Sequence, residues 1–520
     1  MPEPESPSYE QLLVLSMDLA QRNEELAALV SVLSAKVEAL EIEVASLRRQ
    51  VGRDSSNSSQ PPSQDGPAAK GKARAVKPAS PRSGAKRRPG GQKGHRGTGL
   101  ERVAVPDRSE QVEPSACGGC GGGLGAAAGR VASVVQVFDI PAIAVKVTEY
   151  LMMARTCGCG HVTTAPAPSQ VSGGPTCYGP NVIAAATFLA STDVLALERT
   201  ADLMSALLGT PVSTGFISRC LVRLDDALQA AGFEDALKNA LSGADVLGTD
   251  ESPAPLTQTG KDLTEAGTDQ QEGEDCHNPH VFTVRTMGAY TGGGPDLVWY
   301  GAAGTRTKPA ITAFGILEPF DGVLVRDDYG GYLSYDGQLT GVQQCLSHLI
   351  RYLDDAYGID PVAQVWTRQV VDVLRQAIHA VKTARAQGQT SLDPEFLADL
   401  RHRYDQAVAV GISTNLSRPW HKGKKHPGLV LARRLKRKSE QVWVFTGRFD
   451  VPPTNNGSEN SIRGYKIAVK VSGCWRTLAT LRRHCRIRSY LTTARNHTRQ
   501  PLDAIRDALT GHTWMPPTPA

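Results

Sequence analysis

Two short apolar runs each end in a carboxylate: Asp245-Val-Leu-Gly-Thr-Asp250 and Gly322-Val-Leu-Val-Arg-Asp327. Both read as β-strands. Carboxylate oxygens are hard ligands that suit Mg²⁺ or Mn²⁺. Two such ions about 3.5–4 Å apart can activate an attacking oxygen and stabilise a leaving one when a phosphodiester is cut. A single Asp at a strand end is commonly only a turn former, so the weight lies in the pairing. A third acid, Glu459, follows the Pro- and Asn-rich loop Asp450-Val-Pro-Pro-Thr-Asn-Asn-Gly-Ser458. Ser458 or Gly457 can cap a helix there, which places Glu459 in the first turn, where the positive helix end favours the ionised form. On the residues alone, helix stabilisation is the simpler role for Glu459.

A second kind of chemistry belongs to cysteine. Cys117-Gly-Gly-Cys120 and Cys157-Gly-Cys159 are local pairs, and four thiolates around a hairpin complete a tetrahedral Zn²⁺ site in a unit too small to fold otherwise. The second pair is one residue tight for a knuckle, so His161 is an alternative to Cys157 or Cys159. The valine-rich stretch Val131 to Ile140 and the run Val145 to Met153 read as the strands of that module. Further on, Cys345 and His348 are spaced i, i+3; two ligands leave a metal site incomplete, and a structural helix face is the simpler reading.

The elements around the acids define their setting. After the Asp250 strand and a polar insertion at about 257–277, His280 to Thr286 and Leu297 to Tyr300 read as strands. Lys308 to Leu317 reads as a helix, and the Asp327 strand follows. Three strands, a helix and a strand is the order of a ribonuclease H-like core, in which the first and fourth strands are neighbours. The 131 residues between Asp327 and Glu459 exceed any single crossover, and helical patterns at Val370–Ala384 and Pro394–Val410 make them a helical insertion. Ahead of the strands, 182–197, Leu203–Leu208 and Phe216–Leu228 read as helices.

The chain has 520 residues, which implies more than one domain, and its net charge of +5 is unevenly spread. Lys70 to Arg96 holds ten Lys or Arg and no acid, and so does Asn460 to Leu502. Two basic blocks imply a polyanionic partner. Leucines at 12, 19, 26, 33, 40 and 47, with Val30, Val37 and Val44 at the alternate core positions, predict a parallel coiled coil over residues 8–50. It is followed by a polar, proline-punctuated stretch and then Lys86-Arg-Arg-Pro-Gly-Gly-Gln-Lys-Gly-His-Arg96. No apolar run suffices to span a bilayer and no secretory signal opens the chain, so a cytoplasmic protein without membrane contact is expected. A P-loop is missing, so ATP use is not indicated.

The motifs taken in order resemble those of insertion sequence 66 family transposases. They are the leucine zipper, Ser55-Ser-Asn-Ser-Ser-Gln-Pro-Pro-Ser, Pro89-Gly-Gly-Gln-Lys-Gly-His and the cysteine module. Thr249-Asp-Glu-Ser-Pro, Asp327-Asp-Tyr-Gly-Gly-Tyr and Asn455-Asn-Gly-Ser-Glu follow. The resemblance implies an Asp-Asp-Glu active site, carried onto Asp250, Asp327 and Glu459 with two Mg²⁺ or Mn²⁺ ions; the family's Asp-x-Tyr pattern selects Asp327 over Asp328. It departs from the family at Thr454 and Asn460, where Asp and Arg are usual. It implies metal-dependent cleavage and strand transfer at terminal inverted repeats and target DNA, in association with the bacterial nucleoid. Companion transposition proteins and a homo-oligomer built through the coiled coil are the expected partners. Candidate DNA contacts are Lys86, Arg87, Arg88, Lys93, His95, Arg96, His348, Arg351, Arg463, Lys466 and Lys470. Structural Zn²⁺ falls to Cys117, Cys120, Cys157 and Cys159. The alternative is an inactive DNA-binding remnant. The expected fold is α/β: a coiled coil at 8–50, a polar and basic linker at 51–105, and a zinc module at 106–165. A helical subdomain at 175–241 leads to a ribonuclease H-like domain at 242–500, with its insertion at about 355–440 and a tail at 501–520.

Overall fold

Strands buried on both faces need apolar side chains at successive positions, and Val246-Leu247 and Val323-Leu324-Val325 supply them. In a computed structural model of the chain, Val246, Val323 and Val325 join one core, while Leu247, Leu324, Phe282, Val284 and Trp299 join another on the opposite face. The structure describes residues 100–517, except 126–127, 141–142, 169–173, 258–275, 277, 293 and 421–422, together with Met17, Gln21, Arg22, Asn23 and Leu26. The predicted coiled coil, most of the linker and the candidates Lys86, Arg87, Arg88, Lys93, His95 and Arg96 lie outside the described residues.

Two units are distinguished, Lys70–Val147 on one side and Met1–Ala69 with Thr148–Ala520 on the other. In the first, Cys117 sits on a tight turn closed by Cys117 N–H to Gly122 O at 2.8 Å and Gly121 N–H to Cys117 O at 2.9 Å. The predicted strands from Val131 to Ile140 and from Val145 to Met153 are not formed. Val131, Val135, Val137 and Val147 are each at least 75% exposed, and β-branched residues without a surface to pack on have little to hold them extended in a ladder. The hairpin lies later, in the second unit: β1 (Ala154–Thr156) pairs antiparallel with β2 (Val162–Thr164), and Cys157 and Cys159 occupy its turn.

Four helices then lead to the sheet: α1 (Pro180–Ala190), α2 (Leu197–Leu208), α3 (Thr214–Ala230) and α4 (Phe233–Ser242). The expected helix over 182–197 stops at Ala190, and the turn that follows carries Asp193 at φ 65°. The sheet consists of β3 (Val246–Pro253), β4 (His280–Thr286), β5 (Val298–Ala303), β6 (Val323–Arg326) and β7 (Gly341–Gln344). A short helix α5 (Lys308–Thr312) precedes β6; it is shorter than the predicted Lys308–Leu317, and Gly315 turns the chain at φ 71°. The spatial order is β5-β4-β3-β6-β7, antiparallel through β5, β4 and β3 and parallel from β3 to β7. As expected, the strands of the two aspartates are neighbours. β7 is an addition that the sequence pattern did not suggest.

Beyond β7 the chain is helical: α6 (Leu346–Ile359), α7 (Val365–Ala386), α8 (Pro394–Asn415), α9 (Pro427–Arg437) and α10 (Ser439–Gly447). The helical stretch is therefore wider than the predicted 355–440. Its core, around Trp366, Leu374, Leu400, Tyr404, Leu435 and Trp443, is continuous with one face of the sheet through Val246, Val323 and Val325. The chain returns through α11 (Asn456–Ser472), α12 (Leu478–Asn496) and α13 (Pro501–Leu509).

Helix α12 seals the β5 edge with side chains that substitute for a neighbouring strand. Thr493 Oγ1 accepts from Val298 N–H and donates to Val298 O, both at 3.1 Å. Ser489 Oγ accepts from Tyr300 N–H at 2.8 Å, and Arg482 Nε donates to Ala302 O at 3.2 Å. A sheet edge buried without such partners leaves costly orphan groups. Thr493→Val keeps the shape and removes both bonds, so it should cost about 1–3 kcal/mol. A thermal-unfolding midpoint equal to that of the unaltered chain would show that the edge is satisfied in some other way.

Candidate active site

The strand register sets the two aspartates. β3 and β6 pair in parallel as Val246 with Val323, Leu247 with Leu324 and Gly248 with Val325. Continued two residues past the last pair, the same register sets Asp327 level with Asp250. Adjacent strands lie about 4.8 Å apart, and the charge of Asp327, the first residue past β6, acts on Glu251, the neighbour of Asp250. Asp250 does not end its strand as predicted. β3 runs on to Pro253 by pairing with β4, and only the partnership with β6 stops short. Asp327 lies just past Arg326, with its carboxylate accepting from Tyr329 N–H at 2.9 Å. The fully buried Arg326 steadies that turn through the Asp327 carbonyl at 2.8 Å and the Asp336 carboxylate at 2.6 Å.

Glu459 reaches the same end of the sheet on α11. The helix begins after Asn455, earlier than the Gly457 or Ser458 cap expected, and Glu459 lies in its first turn. Asn455 is fully buried and works in three directions. Its side-chain amide donates to Thr249 O on β3 at 2.6 Å, its backbone N–H meets Cys345 Sγ at 3.2 Å, and its carbonyl accepts from Glu459 N–H at 3.1 Å. Gly248 allows this approach: a Cβ there would run into Met287 Cε and lie 2.6 Å from Ser458 Oγ and 3.0 Å from Asn455 Oδ1. Gly248 and Asp250, two apart on the strand, face the same side. Asp250 is therefore turned toward the start of α11.

The carboxylates feel one another. Burial raises the pKa of Asp250, and the neighbouring charge of Glu251 and then that of Glu459 push the same way, against the pull of Lys466, to about 7. Glu251 is raised too, first by burial and then by the charge of Asp327. A pocket of crowded acids is poorly suited to ionisation on its own, and a divalent cation reverses that balance. Carboxylate oxygens are of the hard kind that suits Mg²⁺ or Mn²⁺, although among the described residues no three of these acids bring oxygens within 4.8 Å of one another.

Glu251 is a participant that the sequence reading passed over. It follows Asp250 on the opposite face of β3 and is held by Arg306 and by Tyr332 Oη at 2.7 Å. Tyr332 is also hydrogen-bonded to Thr249 Oγ1 at 3.2 Å, and the Arg306 guanidinium lies 3.5 Å from the Tyr329 ring centroid. The tyrosines of Asp327-Asp-Tyr-Gly-Gly-Tyr thus order this second carboxylate, and two acids in succession on β3 were the available signal. Asp328 is taken up by Lys438 and by Arg434 at 3.4 Å, so its charge is already answered.

The other candidates divide. Lys466 is half-buried near Asp250, Arg463 is exposed on the same helix, and Lys470 is half-buried one turn on. His348 Nδ1 lies 3.5 Å from Glu459 Oε1, beside the acids, and Arg351 is exposed one turn further along α6. Much of the C-terminal basic block faces inward. Arg486 joins Asp225 at 2.5 Å and Glu234 at 2.7 Å, Arg483 approaches Asp225 at 3.7 Å, and Arg488 pairs with Asp193.

The family model described as transposase IS66 family matches residues 175–483, more than half of the chain. A second, a family of unknown function, matches residues 16–101. No curated protein matches the chain. The matched stretch takes in the whole sheet and the helices around it, and the class it defines is that of a transposase. The chain belongs to the IS66 transposase family. Among the described residues no helix is long and apolar enough to cross a membrane.

If α11 must press on β3 to bring Glu459 to Asp250, Gly248→Ala should destabilise the protein by about 1–3 kcal/mol through overpacking. Ser458→Ala in the same chain should recover part of that loss by removing the hydroxyl at 2.6 Å. Unfolding midpoints for the single and double variants measure both effects, and additive losses would contradict this packing.

Proposed function

We propose that this chain is a DNA transposase that cuts and joins strands at the ends of its element, with Asp250, Asp327 and Glu459 holding two Mg²⁺ or Mn²⁺ ions. One observation carries the reading: Asp250 stands on β3, Asp327 is the first residue past the neighbouring parallel strand β6, and Glu459, whose charge acts on Asp250, comes on a helix pinned to β3. The strand order and the helices on both faces of the sheet support a ribonuclease H-like core interrupted by a helical insertion. When bound, the ions would activate the attacking water or strand end and neutralise charge on the leaving oxygen.

The protein groups then have distinct tasks. Asp250, Asp327 and Glu459 supply the oxygen ligands. Lys466 offsets part of their crowded charge. Asn455 and Gly248 fix the distance between β3 and α11, while Arg326 and Tyr329 hold the Asp327 turn. Exposed Arg463 and Arg351 offer cations to the DNA backbone next to the carboxylates. The basic tract from Lys86 to Arg96 would add non-specific grip on phosphates, and the coiled coil at 8–50 would join protomers.

Each cysteine pair, Cys117 with Cys120 in one unit and Cys157 with Cys159 in the other, has local surroundings that suit a structural Zn²⁺ ligand. Backbone N–H of Cys120 lowers the Cys117 thiol pKa, and that of Cys159 lowers Cys157. N–H groups aimed at sulfur favour the thiolate that zinc requires.

The test uses the full chain with a supercoiled plasmid carrying the DNA that flanks its gene. Nicking should need Mg²⁺ or Mn²⁺ and should fall by roughly 10²–10³-fold or more in Asp250→Asn, Asp327→Asn and Glu459→Gln, with DNA retention in a gel-shift assay unchanged. Equal nicking by Asp250→Asn would remove the catalytic assignment. A wild-type chain that binds DNA and never nicks it would be a DNA-binding remnant.

A further inference from the structure

The start of α6 and the start of α11 meet side by side, and three unlike ligands converge between them. Cys345 precedes the first turn of α6, His348 lies one turn along, and Glu459 comes from α11. One ligand atom from each lies within 4.8 Å of the others. Cys345 Sγ stands 3.8 Å from Glu459 Oε1, and His348 Nδ1 stands 3.5 Å from the same oxygen. Zinc bonds of about 2.3 Å to sulfur, 2.0–2.1 Å to nitrogen and 2.0–2.2 Å to oxygen hold tetrahedral ligand atoms roughly 3.4–3.6 Å apart. Both distances to Glu459 Oε1 are thus near coordination spacing before any ion arrives.

We propose that Cys345, His348 and Glu459 form a site for a thiophilic divalent cation of the Zn²⁺ class, distinct from the carboxylate pair and sharing Glu459 with it. The sharing, not the binding itself, rests on the role given above to Glu459. Three observations carry the site. The thiol and the imidazole both approach one Glu459 oxygen at near-coordination spacing. His348 Nδ1 is buried without a hydrogen-bond partner and faces the Glu459 oxygen. The positive ends of two helices favour a thiolate and a carboxylate at this point. Without an ion, burial and then the Glu459 charge hold the Cys345 thiol pKa above its usual value, although the backbone N–H groups of Asn455, His348 and Ser347 pull the other way.

The chemistry separates this ion from the other pair. Mg²⁺ wants an all-oxygen octahedron and does not take a thiolate, whereas sulfur, nitrogen and oxygen together suit Zn²⁺ or Co²⁺. Three protein ligands leave a fourth position open, for water or a DNA oxygen. A Zn²⁺ ion here draws on the carboxylate required by the hard-cation pair, so zinc and magnesium contend for Glu459. Coordination releases the Cys345 proton to solvent, and the charge of the bound ion stabilises the thiolate left behind.

Co²⁺ reports on the site without DNA or activity. The full chain is titrated with Co²⁺ under reducing conditions and followed by the thiolate-to-cobalt absorption and the visible tetrahedral bands. The Cys117/Cys120/Cys157/Cys159 thiols also absorb, so the unaltered chain is compared with Cys345→Ser and with His348→Ala. The expected result is one equivalent of Co²⁺ fewer in each variant, at unchanged unfolding midpoint for His348→Ala, which removes no backbone contact. Glu459→Gln should weaken the same equivalent by tenfold or more, whereas Asp250→Asn should leave it in place. Equal stoichiometry in all these chains would overturn the site. Loss of the equivalent in Cys345→Ser alone would also overturn it, because a lone thiol is not this site. A chain that binds this equivalent while Asp250→Asn nicks DNA normally would keep the site and refute the catalytic reading instead.

Discussion

The hydrogen bond from the Asn455 amide to the Thr249 carbonyl is the constraint on which the acidic end of the sheet depends. It joins residues 206 positions apart, one on the strand of Asp250 and one at the start of the helix of Glu459. Hydrogen bonds of this kind contribute only about 1 kcal/mol net, but breaking one in a buried site leaves a carbonyl orphaned and costs more. The direction of the bond matters as much as its strength. Asn455 also meets Cys345, and Leu346 N–H donates to Pro453 O at 3.0 Å, so the loop before α11 is fixed against both β3 and α6. Gly248 supplies the missing bulk that lets the backbone pieces meet.

Charge in this protein is used for position as often as for contact with solvent. Asp328, next to Asp327, is tied to Lys438 and Arg434 at the end of α9, so the helical insertion is linked to the turn that carries an active-site candidate. Arg326 is completely buried and spends its guanidinium on Asp336 and on the Asp327 carbonyl. Buried pairs of this type add little net stability against an apolar alternative, yet they fix geometry closely. The same holds for α12, whose Arg486 gathers Asp225 from α3 and Glu234 from α4.

The two apolar strands were legible from the chain because burial of successive positions is a local property, and Val246-Leu247 and Val323-Leu324-Val325 carry their own evidence; their ends were not, since β3 runs on past Asp250 and β6 stops before Asp327. The helices of the insertion were visible for the same reason, though their limits were not. β7 was hidden because its residues include Gln343 and Gln344, both buried. Gln343 accepts from Phe445 N–H at 3.0 Å and donates to Val442 O at 3.3 Å, partners about a hundred residues away that no local pattern reveals. The valines from 131 to 147 misled for the converse reason, since propensity without a partner surface does not make a sheet. The arginine-rich stretch after 481 looked like a surface for a polyanion because its counter-charges on α3 and α4 lie some 250 residues earlier. Glu459 was placed by a motif; the reason it matters spatially lies in Asn455.

The treatment of the sheet borders has a consequence for assembly. β5 has its backbone answered by hydroxyls from α12, and β7 lies against α10, where Gln343 bonds to two backbone groups. A polypeptide from another protomer would find no open ladder along β5 from Val298 to Ala302. The stacking of extended segments that leads to fibres is therefore disfavoured along that border from the start.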